Sequence, residues 1–244
     1  MNPWPLRTSI VSGSELSAER RAAMFVLLSV WFEGYGEAYF NEELAEVDHC
    51  LLQEDAETGE LVGFATVYRR ETEIDGRAVG VLLTAHCILH RRYWGSNGLV
   101  RAMLSFMLDR VRADSSDRVW YWMYSAVGYR SYRYMPVLFR RHVPDPDTAL
   151  DPLDRAVRDW VGRETFEQYY DPEGGFVDWN WQGYGMTEEA RAISEAKLDS
   201  PAVAQFRRVN PRWAESVEIL CQARLDDGNL TDMARRWFPR AKKS

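Results

Sequence analysis

The chain has 244 residues, 46% hydrophobic and 27% charged, a composition that fits a globular protein and excludes general disorder. Its net charge is −7, and a surface built to hold nucleic-acid phosphates needs a dominant positive field, so wholesale nucleic-acid binding is excluded too. Cys50, Cys87 and Cys221 are odd in number and far apart, with neither disulfide nor metal spacing, which fits a reducing, cytoplasmic setting and no metal. The opening residues lack the apolar stretch of a signal peptide. The longest apolar run, Ala22 to Phe32, is too short to cross a bilayer, so the expectation is no membrane partner.

In chain order, Met24, Leu27, Leu28 and Trp31 recur at helical spacing, predicting an amphipathic helix over Ser17 to Phe32 that Ser14 or Ser17 caps. A looser segment with Gly34 and Gly36 leads to a short acidic helix around Glu42 to Val47. The period then changes to strands. His49 to Gln53 is followed by a polar turn at Asp55 to Glu60 and by a long strand, Leu61 to Ile74. Asp75-Gly76 is a hairpin turn, and Ala78 to Leu89 is the returning strand, apolar enough to be buried on both faces. His90 to Gly98 is a polar, glycine-bearing loop that opens into a helix, Leu99 to Arg112, with a broad apolar face. After a turn at Ala113 to Asp117, Val119 to Ser125 reads as a central strand. The intervening helix makes it the parallel neighbour of Ala78 to Leu89.

The chain changes character at Pro144. Asp145 to Asp151 is a Pro- and Asp-rich boundary, giving a division into residues 1–147 and a helical, aromatic-rich extension over 148–244. The extension is read as a helix over Asp154 to Val161, an aromatic loop over Tyr169 to Gly185, and helices over Glu188 to Leu198, Ser200 to Val209 and Trp213 to Trp237. The last is interrupted at Asp226 to Gly228.

Helix, short helix, three antiparallel strands, glycine loop, helix, strand and a Tyr-bearing segment is an order that resembles the GNAT superfamily of acyltransferases over roughly Pro5 to Pro144. In that superfamily the fourth strand runs into a loop of the pattern Arg/Gln-x-x-Gly-x-Gly/Ala at a helix N-terminus. There, backbone N–H groups and the helix dipole receive a pyrophosphate. Two registers are open here: Arg92-x-x-Gly95-x-Asn97, and Gly95-x-x-Gly98-x-Val100.

The resemblance implies a mixed α/β (α+β) sheet of the acyl-CoA N-acyltransferase type. It implies an acyl thioester donor, either acyl-CoA or an acyl-phosphopantetheine on an acyl carrier protein, and a small-molecule amine acceptor that attacks directly. Arg91, Arg92, Gly95, Ser96, Asn97 and Gly98, with Arg130 and Arg133 from the later strand's exit, are the implied donor-binding residues. The acid is expected from the tyrosines after the later strand, Tyr132 first and Tyr134 second, and the base from His86. His90 is placed to face the carrier. Glu37 and Glu43 lie where acceptor-side residues sit in this fold. Arg101, Arg140, Arg141 and His142 extend the basic character of the two stretches that flank the donor groove. The aromatics Phe166, Tyr169, Tyr170, Phe176, Trp179, Trp181 and Tyr184 are read as a cap on the acceptor site, as the lining of a channel for a long acyl chain, or as an ordinary helical subdomain packed against the sheet. A non-catalytic relative that has lost the pyrophosphate loop, and a thioesterase- or lyase-like use of the same groove, are the alternatives.

Overall fold

The structure is a computed structural model that describes residues 4–179, 183–191, 197 and 199–239. Strands β1 (Leu6–Ser12), β3 (His49–Asp55), β4 (Leu61–Ile74), β5 (Arg77–Leu89), β6 (Val119–Ala126), β7 (Tyr170–Asp171), β8 (Phe176–Val177) and β10 (Glu218–Arg224) form one sheet. Their order is β1-β3-β4-β5-β6-β10-β8-β7. Only β5 and β6 run parallel, and every other pair is antiparallel. The mixed α/β sheet expected from the sequence is therefore present. Two further short strands, β2 (Phe32–Glu33) and β9 (Gly185–Met186), pair apart from it.

The β4–β5 hairpin closes as its sequence requires. Asp75 (φ 50°) and Gly76 (φ 74°) both occupy the left-handed region of a two-residue turn, with Ile74 facing Arg77. Helix α3 (Gly98–Ala113) covers one face of the sheet. Its Leu99, Met103, Leu104, Met107 and Leu108 pack on Leu82, Trp120, Trp122, Tyr124, Ile219 and Cys221. On the other face, α1 (Ala18–Ser29), α2 (Glu37–Ala45) and α6 (Pro152–Phe166) pack on Phe64, Val79, Val81, Tyr121, Met123 and Leu220. Alternate residues of β5 and β6 thus enter opposite cores. This is why Val79 to Thr84 are all buried and why VWYWMYS reads as nearly unbroken apolar sequence.

Three expectations are corrected. Leu6 to Ser12 is an edge strand, exposed or half-buried throughout, whose residues carry little apolar alternation, and it pairs along all of β3. The acidic helix begins earlier than expected, at Glu37. The stretch Trp213 to Trp237 is not one helix. Its centre is β10, hydrogen-bonded along β6 from Tyr121 to Ala126, and only Asp232–Trp237 (the last helix, α9) is helical beyond a short turn at Trp213–Glu215. Ile219, Cys221 and Ala223 enter one core and Leu220 the other, a pairing with β6 that helical spacing cannot satisfy. Residues of the extension therefore share the central sheet, while α8 (Pro201–Val209) packs Val203 and Phe206 beside α3's core. The expected helix over Glu188 to Leu198 is described only as α7 (Glu188–Arg191), and much of the remainder lies outside the described residues, as does Trp181.

Candidate functional site

The site starts from an interruption in the sheet. The parallel ladder of β5 and β6 ends at Leu83 and Met123, although both strands continue. On its other edge β5 carries one extra residue against β4: Ala65 faces Cys87 and Val67 faces Thr84. This bulge bends β5 at Ala85-His86, as bulges do beside binding sites. Ala85 and Cys87 are exposed in the middle of the fold as a result. The two strands part, and Thr84, Ala85, His86 and Ser125, beyond the last paired residues, line a cavity of about 390 Å³.

Polar groups of the cavity come from strands and helices far apart in the chain. From β5, His86 is 7% exposed and its Nδ1 lies 3.4 Å from the Thr66 hydroxyl, which also accepts the His86 backbone N–H at 3.1 Å. Its Nε2 is 3.4 Å from Tyr35 Oη and 3.7 Å from Glu43 Oε2. Burial holds the imidazole well below its ordinary value, at about 4, so it is neutral at physiological pH. The network assigns the tautomer: Thr66 donates to Nδ1, Nε2–H faces Tyr35, and the Tyr35 hydroxyl donates to Glu43.

Glu43 projects from α2, one helical turn after Tyr39. Burial pushes its carboxyl up to about 7; the Tyr35 hydrogen bond opposes the rise, and the neighbouring Glu218 charge adds to it. Glu218 opens β10 and accepts from the Ser125 hydroxyl and the Trp179 indole N–H, yet burial raises it too, to about 7. Two carboxyl groups near their midpoint at neutral pH therefore share one cavity.

The walls are aromatic. Tyr35 stands 5.5 Å from Tyr39 and 5.0 Å from Tyr184 between ring centroids, and Tyr184 is 5.4 Å from Trp179. Tyr184 is brought there by the pairing of β9 with β2, and Trp179 by the β7–β8 hairpin. Trp179 and Tyr184 line the cavity beside Phe166, whereas Tyr170 donates to Asp159 and packs under α6 at Gly162.

On the other side of the gap, the glycine loop leads from β5 into α3. Gly95 sits at φ +96°, which favours glycine. Ser96 is buried and its hydroxyl accepts the Gly98 N–H at 3.2 Å, while Asn97 stands at the N-cap without a side-chain cap of its own. A Cβ on Gly98 would lie 2.8 Å from Gln53 Nε2 and 3.3 Å from Ser96 Oγ, so the α3 N-terminus is closely backed by β3.

Around this loop, Trp94 stacks on Trp31 at 4.8 Å. The guanidinium of Arg91 lies over both rings, and that of Arg130 lies 4.3 Å from Trp94. Arg91 also pairs with Glu189, and Arg130 donates to the Ala190 carbonyl at 3.2 Å. Arg92 lies over Tyr93, whose hydroxyl donates to Asp55 at 2.7 Å, and Arg133 lies over Tyr134. His90 is exposed, its Nδ1 accepting the Arg92 N–H at 3.3 Å.

The structure thus brings Arg91, Arg92, Gly95, Ser96, Asn97, Gly98 and Arg130 to one end of the gap and His86 and Glu43 to the other. Tyr134, in α5 (Tyr134–Leu138), is half-buried near Cys87, and burial with that thiol raises its hydroxyl above the usual tyrosine value. Tyr132 in α4 (Tyr129–Tyr132) is turned away. It is 1% exposed, packs on Phe206 at 5.7 Å and donates to the Pro144 carbonyl at 3.2 Å. Arg140, Arg141 and His142 do not flank the gap either. They line a separate cavity of about 320 Å³ with Asp151, Asp154 and Arg224, and Arg140 is paired with Asp232. Arg101 lies over Trp237. Glu37 is the first residue of α2 and lies outside the cavity lining. Tyr35, Tyr39 and Glu218 were not singled out in the sequence. The spacing Tyr39-x-x-x-Glu43 on one helix face was an available signal for the second of these.

No protein-family model matches the chain, and no curated protein matches it. Solved structures do. A probable N-acyltransferase from Enterococcus faecalis V583 is 14% identical, over 52% of this chain and 31% of that one, with a TM-score of 0.40. A GNAT family N-acetyltransferase from Escherichia coli, solved with CoA, is 16% identical over 50% and 63%, with a TM-score of 0.36. An acetyltransferase from Trypanosoma brucei is 17% identical over 60% and 99%, with a TM-score of 0.38. The solved structures it resembles are N-acyltransferases. The chain spans about a third of the first of these proteins and under two thirds of the second.

Proposed function

We propose that the chain is an N-acyltransferase that moves an acyl group from an acyl-CoA-type thioester to an amine. The observation that carries this is the gap between parallel β5 and β6, which borders a cavity holding two carboxylates and a neutral histidine and from which β5 runs on into an arginine-rich helix N-terminus. The helix N-terminus suits the phosphates of a pantetheine carrier. Arg91, Arg92, Arg130 and Arg133 supply charge, and Gly95, Ser96, Asn97 and Gly98 supply backbone close to the helix N-terminus. The cavity suits an ammonium that must lose a proton before it can attack.

In this reading Glu43 takes that proton, with Tyr35 and His86 fixing the carboxylate's orientation, and the freed amine attacks the thioester carbonyl in the gap. Collapse of the tetrahedral adduct breaks the C–S bond. The departing thiolate receives a proton from Tyr134, the nitrogen's second proton passes through water to the resulting tyrosinate, and Glu43 returns the first proton to solvent. The products are an amide and a free thiol. Tyr134 is preferred to Tyr132 as the acid because the hydroxyl of Tyr132 is committed to Pro144.

The test is thiol release with acetyl-CoA, long-chain acyl-CoAs and acylated carrier protein, each against a panel of amines. Turnover dependent on both substrates supports the reading, and the donor that works separates coenzyme A from a carrier protein. Thioester binding without turnover on any amine would point to a non-catalytic binding protein.

A further inference from the structure

The acceptor cavity is acidic at both ends. At the closed end stand Glu43 and Glu218; at the open end Glu46 and Glu164 line the rim and are exposed. Among the described residues, none of Glu46, Glu164 and Glu218 is in an ion pair. Among the described residues the one Arg or Lys in the lining is Arg70, which lies over the Tyr68 ring and 3.8 Å from Asp48. Between the two ends the surface is made of Tyr35, Tyr39, Tyr184 and Trp179. A ligand carrying one ammonium would use the closed end and leave the rim carboxylates unmatched. A ligand with its own carboxylate would set that group against Glu46 and Glu164. Ring faces attract cations and also pack against methylene groups, so a chain of CH₂ groups with a charge at each end matches ends and walls together.

Resting on the acyltransferase reading, we propose that the acceptor is a linear aliphatic diamine or polyamine. One ammonium sits between Glu43 and Glu218, where it is acylated, and the other sits at the Glu46 and Glu164 rim. A volume of about 390 Å³ admits such a chain of several methylenes. Specificity against amino acids and neutral amines then comes from the four carboxylates, which repel the first and leave the second without a partner at the rim.

The experiment is calorimetry in the absence of donor, with 1,5-diaminopentane, n-pentylamine and 5-aminopentanoate as probes of equal length. It is run on the full chain and on Glu46→Gln/Glu164→Gln, alongside thiol release with each probe. The diamine is expected to bind at least about tenfold more tightly than either competitor, and the double variant to bring it within about twofold of pentylamine. Equal binding of diamine and pentylamine, or tighter binding of aminopentanoate, overturns the proposal. The two readings fail separately. Diamine binding without thiol release from any donor sinks the transferase reading and leaves the dication site standing, whereas equal turnover of pentylamine and diamine does the reverse. The replaced side chains lie at the exposed rim, and a thermal melt of the variant confirms its fold.

Discussion

The two ends of the β5–β6 gap are built on opposite principles. At the glycine-loop end, cations lie on ring faces, Arg91 over Trp31 and Trp94 and Arg130 over Trp94, where they stay charged and partly solvated. At the cavity end the acids are half-buried, and desolvation holds Glu43 and Glu218 near 7. A surface guanidinium keeps its charge at little cost, so that end works as a fixed electrostatic clamp. A desolvated carboxylate near its midpoint can accept or release a proton at physiological pH, so the other end is suited to chemistry. One end is specialised for holding a ligand and the other for changing it.

The largest test of this contrast is Glu43→Gln. Thiol release should fall about 10²- to 10⁴-fold, the range for loss of a general base, while the calorimetric affinity for acyl-CoA stays unchanged. Tyr134→Phe should come next, with kcat lower by about one to two orders of magnitude and donor KM little altered. Tyr132→Phe should keep kcat and lose about 1 kcal/mol of stability in a denaturant melt, the worth of its bond to Pro144. If those two outcomes were exchanged, the acid would have been assigned to the wrong ring. At the holding end, Arg130→Ala should raise donor KM about tenfold, and added salt should shrink the difference between variant and wild type.

The smallest effect is on stability. A carboxyl whose folded value is about 7 against an ordinary 4.5 stays protonated in the fold after the unfolded chain has ionised. Unfolding then releases protons, so stability falls as pH rises from about 4.5 to 7 and is level above that window. Glu218→Gln should flatten the decline and raise the melting point at pH 8, by about 2–4 °C for each kcal/mol recovered. Activity should rise over the upper part of the same pH range, because the carboxylate form is the base. A wild-type melting temperature that is flat between pH 5 and 8 would show that the two acids are not held in the protonated form.

How much of this was legible in the sequence follows the physics of each element. The β4–β5 hairpin was plain because Asp75-Gly76 states its turn and Val79 to Thr84 have no solvent face to interrupt them. β10 was hidden because a short strand between turns shows too few periods to be told from a helix, and its partner β6 lies nearly a hundred residues earlier. β1 was hidden for the opposite reason: an edge strand needs no apolar alternation when its outer side chains face water. In the site, His86 and Glu43 were named from their places in the element order. Glu218 carried no mark, because a glutamate before an apolar run looks like any strand start until β10 is set beside Ser125. Tyr132 was favoured over Tyr134 on distance along the chain, and the direction of a ring on a one-turn helix is fixed by packing.

The late strand also sets an order of events in folding. From β1 to β6 even the widest pairing, Leu6 with Asp55, closes only about half the length of chain that the β6–β10 ladder must close, so that part of the sheet can form first. The β6–β10 ladder must close a loop running from Ala126 to Ile219, and closure of long loops is entropically unfavourable and slow. Until it closes, β6 has a bare edge rich in tryptophan and tyrosine, open to pairing with another molecule. The same step delivers Glu218 to the cavity, so a chain caught before it would be both prone to aggregate and without one of its two desolvated acids.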